Sequence, residues 1–322
     1  MQTLDAPLII TLDEVYAARE RIRTFIRRTP TLRTAPLRTP VYPHSDIYLK
    51  LENMQVSGSF KARGAMNKLQ SIPPNELKRG IVAASGGNHG LGVAYAGYLV
   101  GVPVTIFLPK SAAAIKAHKL QGWGARVVHA GDVFDDANYA AVTLAEHDHL
   151  PYFHPFADAA IIAGQGTIGL ELLEDVPDVD TVIVAIGGGG LISGIGRVVK
   201  ALRPDVRVIG VEPIGAATYY EARKVGHPVT LPEITTIVNT LAPRQGAAIN
   251  FAHIEAYVDE IVLVSDDEMR QAARWMWTEM SIAAELAGAA AMAGLLTGRI
   301  VLRAGEKACV VVCGAGTDGI DE

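Results

Sequence analysis

Lysine at the start of a helix is a residue type that can do covalent chemistry, and Lys61 holds such a place. It lies in Val56-Ser57-Gly58-Ser59-Phe60-Lys61-Ala62-Arg63-Gly64-Ala65, between a strand-like run, Ile47–Leu51, and a helical pattern from Phe60 to about Leu69. Ser59 reads as the N-cap. That puts Lys61 in the first turn, where the helix dipole disfavours a cation. An amine so placed is expected to give up its proton more readily and to attack a carbonyl carbon. Position alone favours a plain solvated lysine, so the other motifs have to decide.

Two glycine-rich turns supply the rest of a site. Ile186-Gly187-Gly188-Gly189-Gly190-Leu191 ends an apolar strand and opens a helix. Successive free amides and the helix terminus suit a phosphate dianion. Glu212 falls where a dinucleotide fold keeps its ribose-binding acid. The G-x-G-x-x-G spacing is nevertheless unmet, its last place being Ser193 or Ile192, and four contiguous glycines fit a phosphate monoester better. Ser85-Gly86-Gly87-Asn88-His89-Gly90 occupies an equivalent strand-to-helix turn and offers amides, a hydroxyl and a carboxamide to a carboxylate or phenolate oxygen. Alone it is equally a tight turn capped by Ser85, and His89 by itself reads as structural.

Together these parts can hold pyridoxal 5′-phosphate and an amino acid. The aldehyde needs the amine, the phosphate needs the glycine cup, and the substrate carboxylate needs the second anion site. Cys313-Gly314-Ala315-Gly316, at the end of the last strand, is placed for the pyridine nitrogen. A thiol is a weak, neutral partner, which favours elimination, whereas an aspartate would keep the nitrogen protonated and spread the charge into the ring. Cys313 is as readily a small buried hydrophobe.

These residues need a scaffold of alternating strands and helices. Thr11 to Arg28 has a helical period opened by Thr11 and Glu14. From residue 80 onward strands alternate with helices: strands at 80–84, 104–108, 126–129, 181–186, 206–211, 260–264 and 308–313; helices at 91–99, 112–121, 135–147, 166–173, 191–202, 216–225, 266–280 and 282–296. An irregular stretch runs from the helix ending at Val225 through Asn250. That rhythm predicts an α/β protein of two lobes, each a mostly parallel twisted sheet with helices on both faces. Residues 1–52 with 154–322 would form the larger, phosphate-binding lobe, and 53–153 the smaller lobe with the lysine and asparagine loops. At 322 residues there is room for both. A net charge of −5 and no basic run argue against nucleic acid, and Leu286–Leu296 is too short to span a bilayer. The stretch Met1–Ala6 lacks a signal-peptide layout, so a reducing cytoplasm is expected. Cys309 and Cys313 are expected on one face of their strand, too far apart to bridge.

Along nearly its whole length the chain resembles the serine/threonine dehydratase (ammonia-lyase) family of fold-type II, tryptophan synthase β-like pyridoxal-phosphate enzymes. Leu49–Gln55 leading into Gly58–Ala65 resembles the lysine motif and Ser85–Gly90 the asparagine loop. Ala163-Gly164-Gln165-Gly166-Thr167 and Gly187–Gly190 resemble the later signatures, in the right order. The resemblance implies that Lys61 binds the cofactor's aldehyde and then moves the α-proton. Phe60 would stack near the ring, Asn88 would bond its 3′-oxygen, and Gly187, Gly188, Gly189 and Gly190 would hold the phosphate. Cys313 would face the nitrogen, while Ser85, Gly86, Asn88 and His89 would line the carboxylate site. A β-hydroxy amino acid, threonine or serine first, would give a 2-oxo acid and ammonia.

Departures from the pattern shape the expectation further. Gly86 stands where racemases of the family have a second serine, which points to β-elimination rather than racemisation. Relatives of this family carry Asp-Gly where this chain reads Asn239-Thr240. Thr240 would narrow or re-polarise the substrate pocket, and Arg244 is either a partner for a second carboxylate or a solvated loop residue. Glu212 is the one acid of a metal site found in some relatives, but Thr218 is a poor substitute for an aspartate, so no metal is expected. No regulatory domain is expected after the last strand, and a homodimer is implied by the resemblance alone. Alternatives kept open are another β-hydroxy amino acid such as 3-hydroxyaspartate or phenylserine, a racemase, and a non-catalytic nucleotide-binding α/β protein.

Overall fold

Ile81–Ala84 and Thr181–Ala185 are buried at every residue, the pattern of parallel strands covered on both faces. The computed structural model describes residues 9–37, 40–42 and 44–320, so Met1–Ala6 and Glu322 lie outside the described residues. Among these, nine strands run β1 Thr31–Arg33, β2 Asp46–Lys50, β3 Ile81–Ala84, β4 Val104–Leu108, β5 Arg126–His129, β6 Thr181–Ala185, β7 Arg207–Pro213, β8 Glu260–Val264 and β9 Lys307–Val311. They form a six-stranded sheet, in the order β1-β2-β9-β6-β7-β8, and a three-stranded sheet, β3-β4-β5. All pairs are parallel except β1 with β2, at the edge. The fold is α/β, with helices on both faces of the sheets.

Three helices fix the distances that matter. Lys61–Ser71 buries Ala62, Ala65, Met66 and Leu69 in the core of the smaller sheet. Ala159–Asp175 is capped by Asp158, whose Oδ1 accepts from Ala160 and Ile161. Gly190–Leu202 buries Leu191, Ile192 and Ile195 in the core of the larger sheet. A Cβ on Gly164 would lie 2.6 Å from Gly64 Cα, so the first two helices touch backbone to backbone. A Cβ on Gly194 would lie 2.5 Å from Gly166 N, so the second and third do the same. Gly164 and Gly166 stand about 200° apart around their helix. The signature at 163–167 is therefore a spacer between the lysine helix and the glycine-cup helix.

A buried ionic cluster locks this spacer. Arg63 and Glu52, both fully buried, pair at 2.8 Å; Arg63 also meets Glu171 at 2.7 Å, and Glu171 meets Lys50 at 2.8 Å. Several local expectations are corrected. The first helix ends at Ile22 rather than Arg28, though its Thr11/Glu14 capping box forms. The helix Ala248–Tyr257 starts inside the stretch read as irregular, and β9 ends before Cys313. Ser59 is not a cap: the N-cap is Phe60, in helical conformation with no side-chain bond.

Candidate cofactor and substrate site

Lys61 is the first residue of its helix, and its Nζ donates to the Pro155 carbonyl at 2.6 Å. Burial pulls its pKa down to about 8, against the raising influence of Cys313 and Glu285. The direction agrees with the sequence reading, but desolvation is the cause rather than the helix dipole. Phe60 packs its ring 5.1 Å from the amine. Its backbone N donates to Cys313 O, and Ala315 N donates to Gly58 O, so the segment before the lysine is laced to the chain beyond β9.

From the amine the contacts run in a closed circuit. Next to Pro155, Phe156 lays its ring over Gly188, against the place a Cβ would take. A Cβ on Gly187 would lie 2.8 Å from Thr240 O, and one on Gly87 would lie 3.9 Å from Thr240 Cγ2. Thr240 thus spans the glycine cup and the asparagine loop. Asn88 Nδ2 then donates to Glu285 Oε1 at 2.7 Å. Glu285 N donates to Gly314 O, next to Cys313, which returns to Phe60. The circuit brings together Lys61, Phe60, the Gly187–Gly190 loop, Thr240, Asn88 and Cys313. A cavity of about 370 Å³, lined by Asn88, Leu91, Lys119 and Trp123 and by Ser57, Gly58 and Ala315, opens beside Asn88 and the Gly58–Ala315 lacing.

Ser85, Gly86 and His89 are placed by the same turn. Ser85 Oγ accepts from Gly87 N at 3.2 Å. Gly86 backs onto Leu108 and Lys116. His89 is turned away: its Nε2 donates to Phe153 O at 2.8 Å, and burial holds the ring neutral. What His89 offers the turn is its backbone amide at the start of the helix Asn88–Val100. Arg244 is likewise occupied, donating to the carbonyls of Leu231 at 2.9 Å and Pro232 at 3.2 Å.

The chemistry of these groups fits pyridoxal phosphate. Gly189, at φ +84°, caps the helix Gly190–Leu202, whose first amides have no partners within the helix. Any side chain at Gly187 or Gly190 would meet backbone of Thr240 or Phe156, so the loop stays bare. Tyr219 holds it from behind, its hydroxyl donating to Gly188 O at 2.8 Å. Ser59 Oγ is buried without a partner just before the lysine. Cys313 Sγ donates to Ala287 O at 3.4 Å, and burial pushes its ionisation far up, leaving a neutral thiol. Glu212 is otherwise engaged. Fully buried and pushed up to about 8 by burial, it accepts from Tyr219 N at 2.9 Å and Tyr220 N at 2.8 Å. Thr218 Oγ1 donates to Pro243 O. Among the described residues no group of three His, Cys, Asp or Glu side chains could hold a metal.

Phe156, Tyr219 and Glu285 were not singled out by motif. Each lies outside the lysine motif and the glycine turns in sequence. Only their closeness to the glycine turns in space distinguishes them.

The family model for pyridoxal-phosphate dependent enzymes matches residues 22–314. The chain belongs to that family, and its cofactor is pyridoxal phosphate. It is 38% identical over 310 residues to the L-threonine ammonia-lyase of Thermotoga maritima, covering 96% of this chain and 76% of the relative. It is 35% identical over 322 residues to the catabolic L-threonine dehydratase of Staphylococcus aureus, covering 98% and 92%. Among solved structures, maize serine racemase superposes with a TM-score of 0.91 at 30% identity, covering 98% of this chain and 95% of that one.

Proposed function

We propose that the protein is a lyase that dehydrates and deaminates L-threonine, and L-serine beside it, to a 2-oxo acid and ammonia. The relatives named L-threonine ammonia-lyase and L-threonine dehydratase support the substrate. The observation that carries the reaction type is Cys313: a buried, neutral thiol, whose single S–H would turn from Ala287 O to the ring nitrogen, is a neutral partner for that nitrogen.

Pyridoxal phosphate, when bound, supplies an aldehyde that captures amines and a ring that draws electrons from the substrate's Cα. Lys61 would hold that aldehyde, and its Nζ would take the α-proton. The amides of Gly187, Gly188, Gly189 and Gly190 hold the phosphate. Asn88 would donate to the ring oxygen, Phe60 would cover the ring, and Cys313 would meet its nitrogen. Ser85, Gly86 and the amides of Asn88 and His89 take the substrate carboxylate. Thr240, between the two loops, closes on the β-substituent. Residues 53–153 carry the lysine and asparagine loops, and residues 1–52 with 154–322 carry the phosphate site. Two copies associate, and the enzyme works in the cytoplasm, a setting that suits two free, buried cysteines.

The test is a panel of L-threonine, L-serine, 3-hydroxyaspartate and phenylserine, assayed for 2-oxo acid and ammonia, with chiral analysis of recovered serine. L-Threonine is expected to lead. The likeness to maize serine racemase makes racemisation the second reading. Gly86 argues against it by leaving the loop without a second hydroxyl. Accumulation of D-serine faster than 2-oxo acid would overturn the proposal, and light scattering reads the dimer.

A further inference from the structure

We propose that Glu285 is a positioning residue that sets the orientation of the Asn88 amide, and through it the grip on the cofactor. The inference rests on the assignment of Asn88 to the cofactor's ring oxygen. An asparagine amide can present either edge to its surroundings, whereas a carboxyl oxygen always keeps a lone pair to accept with. The bond from Asn88 Nδ2 to Glu285 Oε1, 2.7 Å, therefore selects the NH₂ edge. It uses one of the two amide hydrogens and leaves the other to donate.

Two further features show that Glu285 is held for this task. It is the N-cap residue of the helix Leu286–Leu296, yet it makes no side-chain capping bond. The Leu286 amide is taken by Asp318 Oδ1 at 3.1 Å instead, which leaves the Glu285 carboxyl to Asn88. The glycines after Cys313, which nitrogen binding does not explain, make its berth. A Cβ on Gly314 would collide with Glu285 Oε1, and one on Gly316 would lie 2.7 Å from Glu285 Cβ. Glu285 N donates to Gly314 O at 3.1 Å and fixes the backbone there. The carboxyl is also within the electrostatic reach of Lys61 and Asp318.

The experiment is a double-mutant cycle on cofactor affinity, read from the visible absorbance of cofactor-depleted protein titrated with pyridoxal phosphate and no amino acid. Glu285→Ala is expected to weaken binding about ten-fold. Glu285→Gln, whose carbonyl still accepts from Asn88, is expected to restore it to within about three-fold. Asn88→Ala and the double variant Asn88→Ala/Glu285→Ala are expected to agree within about two-fold, because Glu285 acts through Asn88. Repeating the cycle with Glu285→Leu, which fills the berth, keeps lost packing from deciding the outcome. Additive losses in the double variants, or wild-type affinity in both Glu285→Ala and Glu285→Leu, would overturn the proposal. Wild-type affinity in Asn88→Ala would remove Asn88 from the site and the inference with it. The substrate reading stands apart, since no substrate is present.

Discussion

The Lys61 amine must lose its proton before it can attack an aldehyde, and its surroundings set the pH at which it does. Burial lowers its pKa to about 8 from the ordinary 10.5, so the folded protein sheds this proton more than two units earlier than a solvated lysine. The rate of cofactor uptake by depleted protein is therefore expected to rise with pH and level off above about 8, as stopped-flow absorbance would follow. An inflexion near 10.5 would mean a solvated amine. Lys61→Ala is expected to abolish both the visible band and 2-oxo acid formation. The lysine was legible from its motif, but its environment was not. Ser59 looked like a cap because serine before a helix usually is one. Here the chain reaches the helix through Ser57 at φ +62°, and Ser59 pairs with Gly314 as a bridge, a long-range contact no local pattern encodes.

At the scale of elements, the position of the amine depends on how closely three helices approach. Arg63, two residues after Lys61 on the same helix, is neutralised by Glu52 and Glu171 out of contact with water. Arg63→Ala would leave Glu52 buried without a cation and Glu171 with Lys50 alone, and a loss of about 3–5 kcal/mol is expected in denaturant unfolding. Gly164→Ala would push the spacer against Gly64 and is expected to cost about 1–3 kcal/mol. The alternation of strands and helices was readable because buried parallel strands are short apolar runs, and β4, β5 and β8 fell where their runs begin and end. The helix Ala248–Tyr257 escaped because Ala247-Ala248-Ile249-Asn250-Phe251-Ala252-His253-Ile254 has no clear apolar stripe. Of its two buried polar residues, Asn250 faces the site and donates to Phe156 O at 3.2 Å, while His253 accepts from Ile10 N at 3.1 Å. β1 escaped for the opposite reason, as three largely exposed residues whose strand form comes only from pairing with β2.

On the scale of the whole molecule, the amine rides on a helix packed in the core of the three-stranded sheet, and the Gly187–Gly190 loop follows a strand of the six-stranded one. A cofactor held by both ties the two sheets together, so loading is expected to raise the melting temperature and slow proteolysis between them. At a hundred-fold excess over its dissociation constant the gain is about 2.7 kcal/mol. The lacing of Gly58, Ser59 and Phe60 to Cys313, Gly314 and Ala315 carries a consequence for how the protein is made. During translation the lysine emerges well before Cys313, Gly314 and Ala315, which seat its segment. A nascent chain is therefore expected to take up vitamin B6 only after that C-terminal segment has been added. A chain ended after Val311 keeps every strand and should still give no visible band, whatever the vitamin supply during expression.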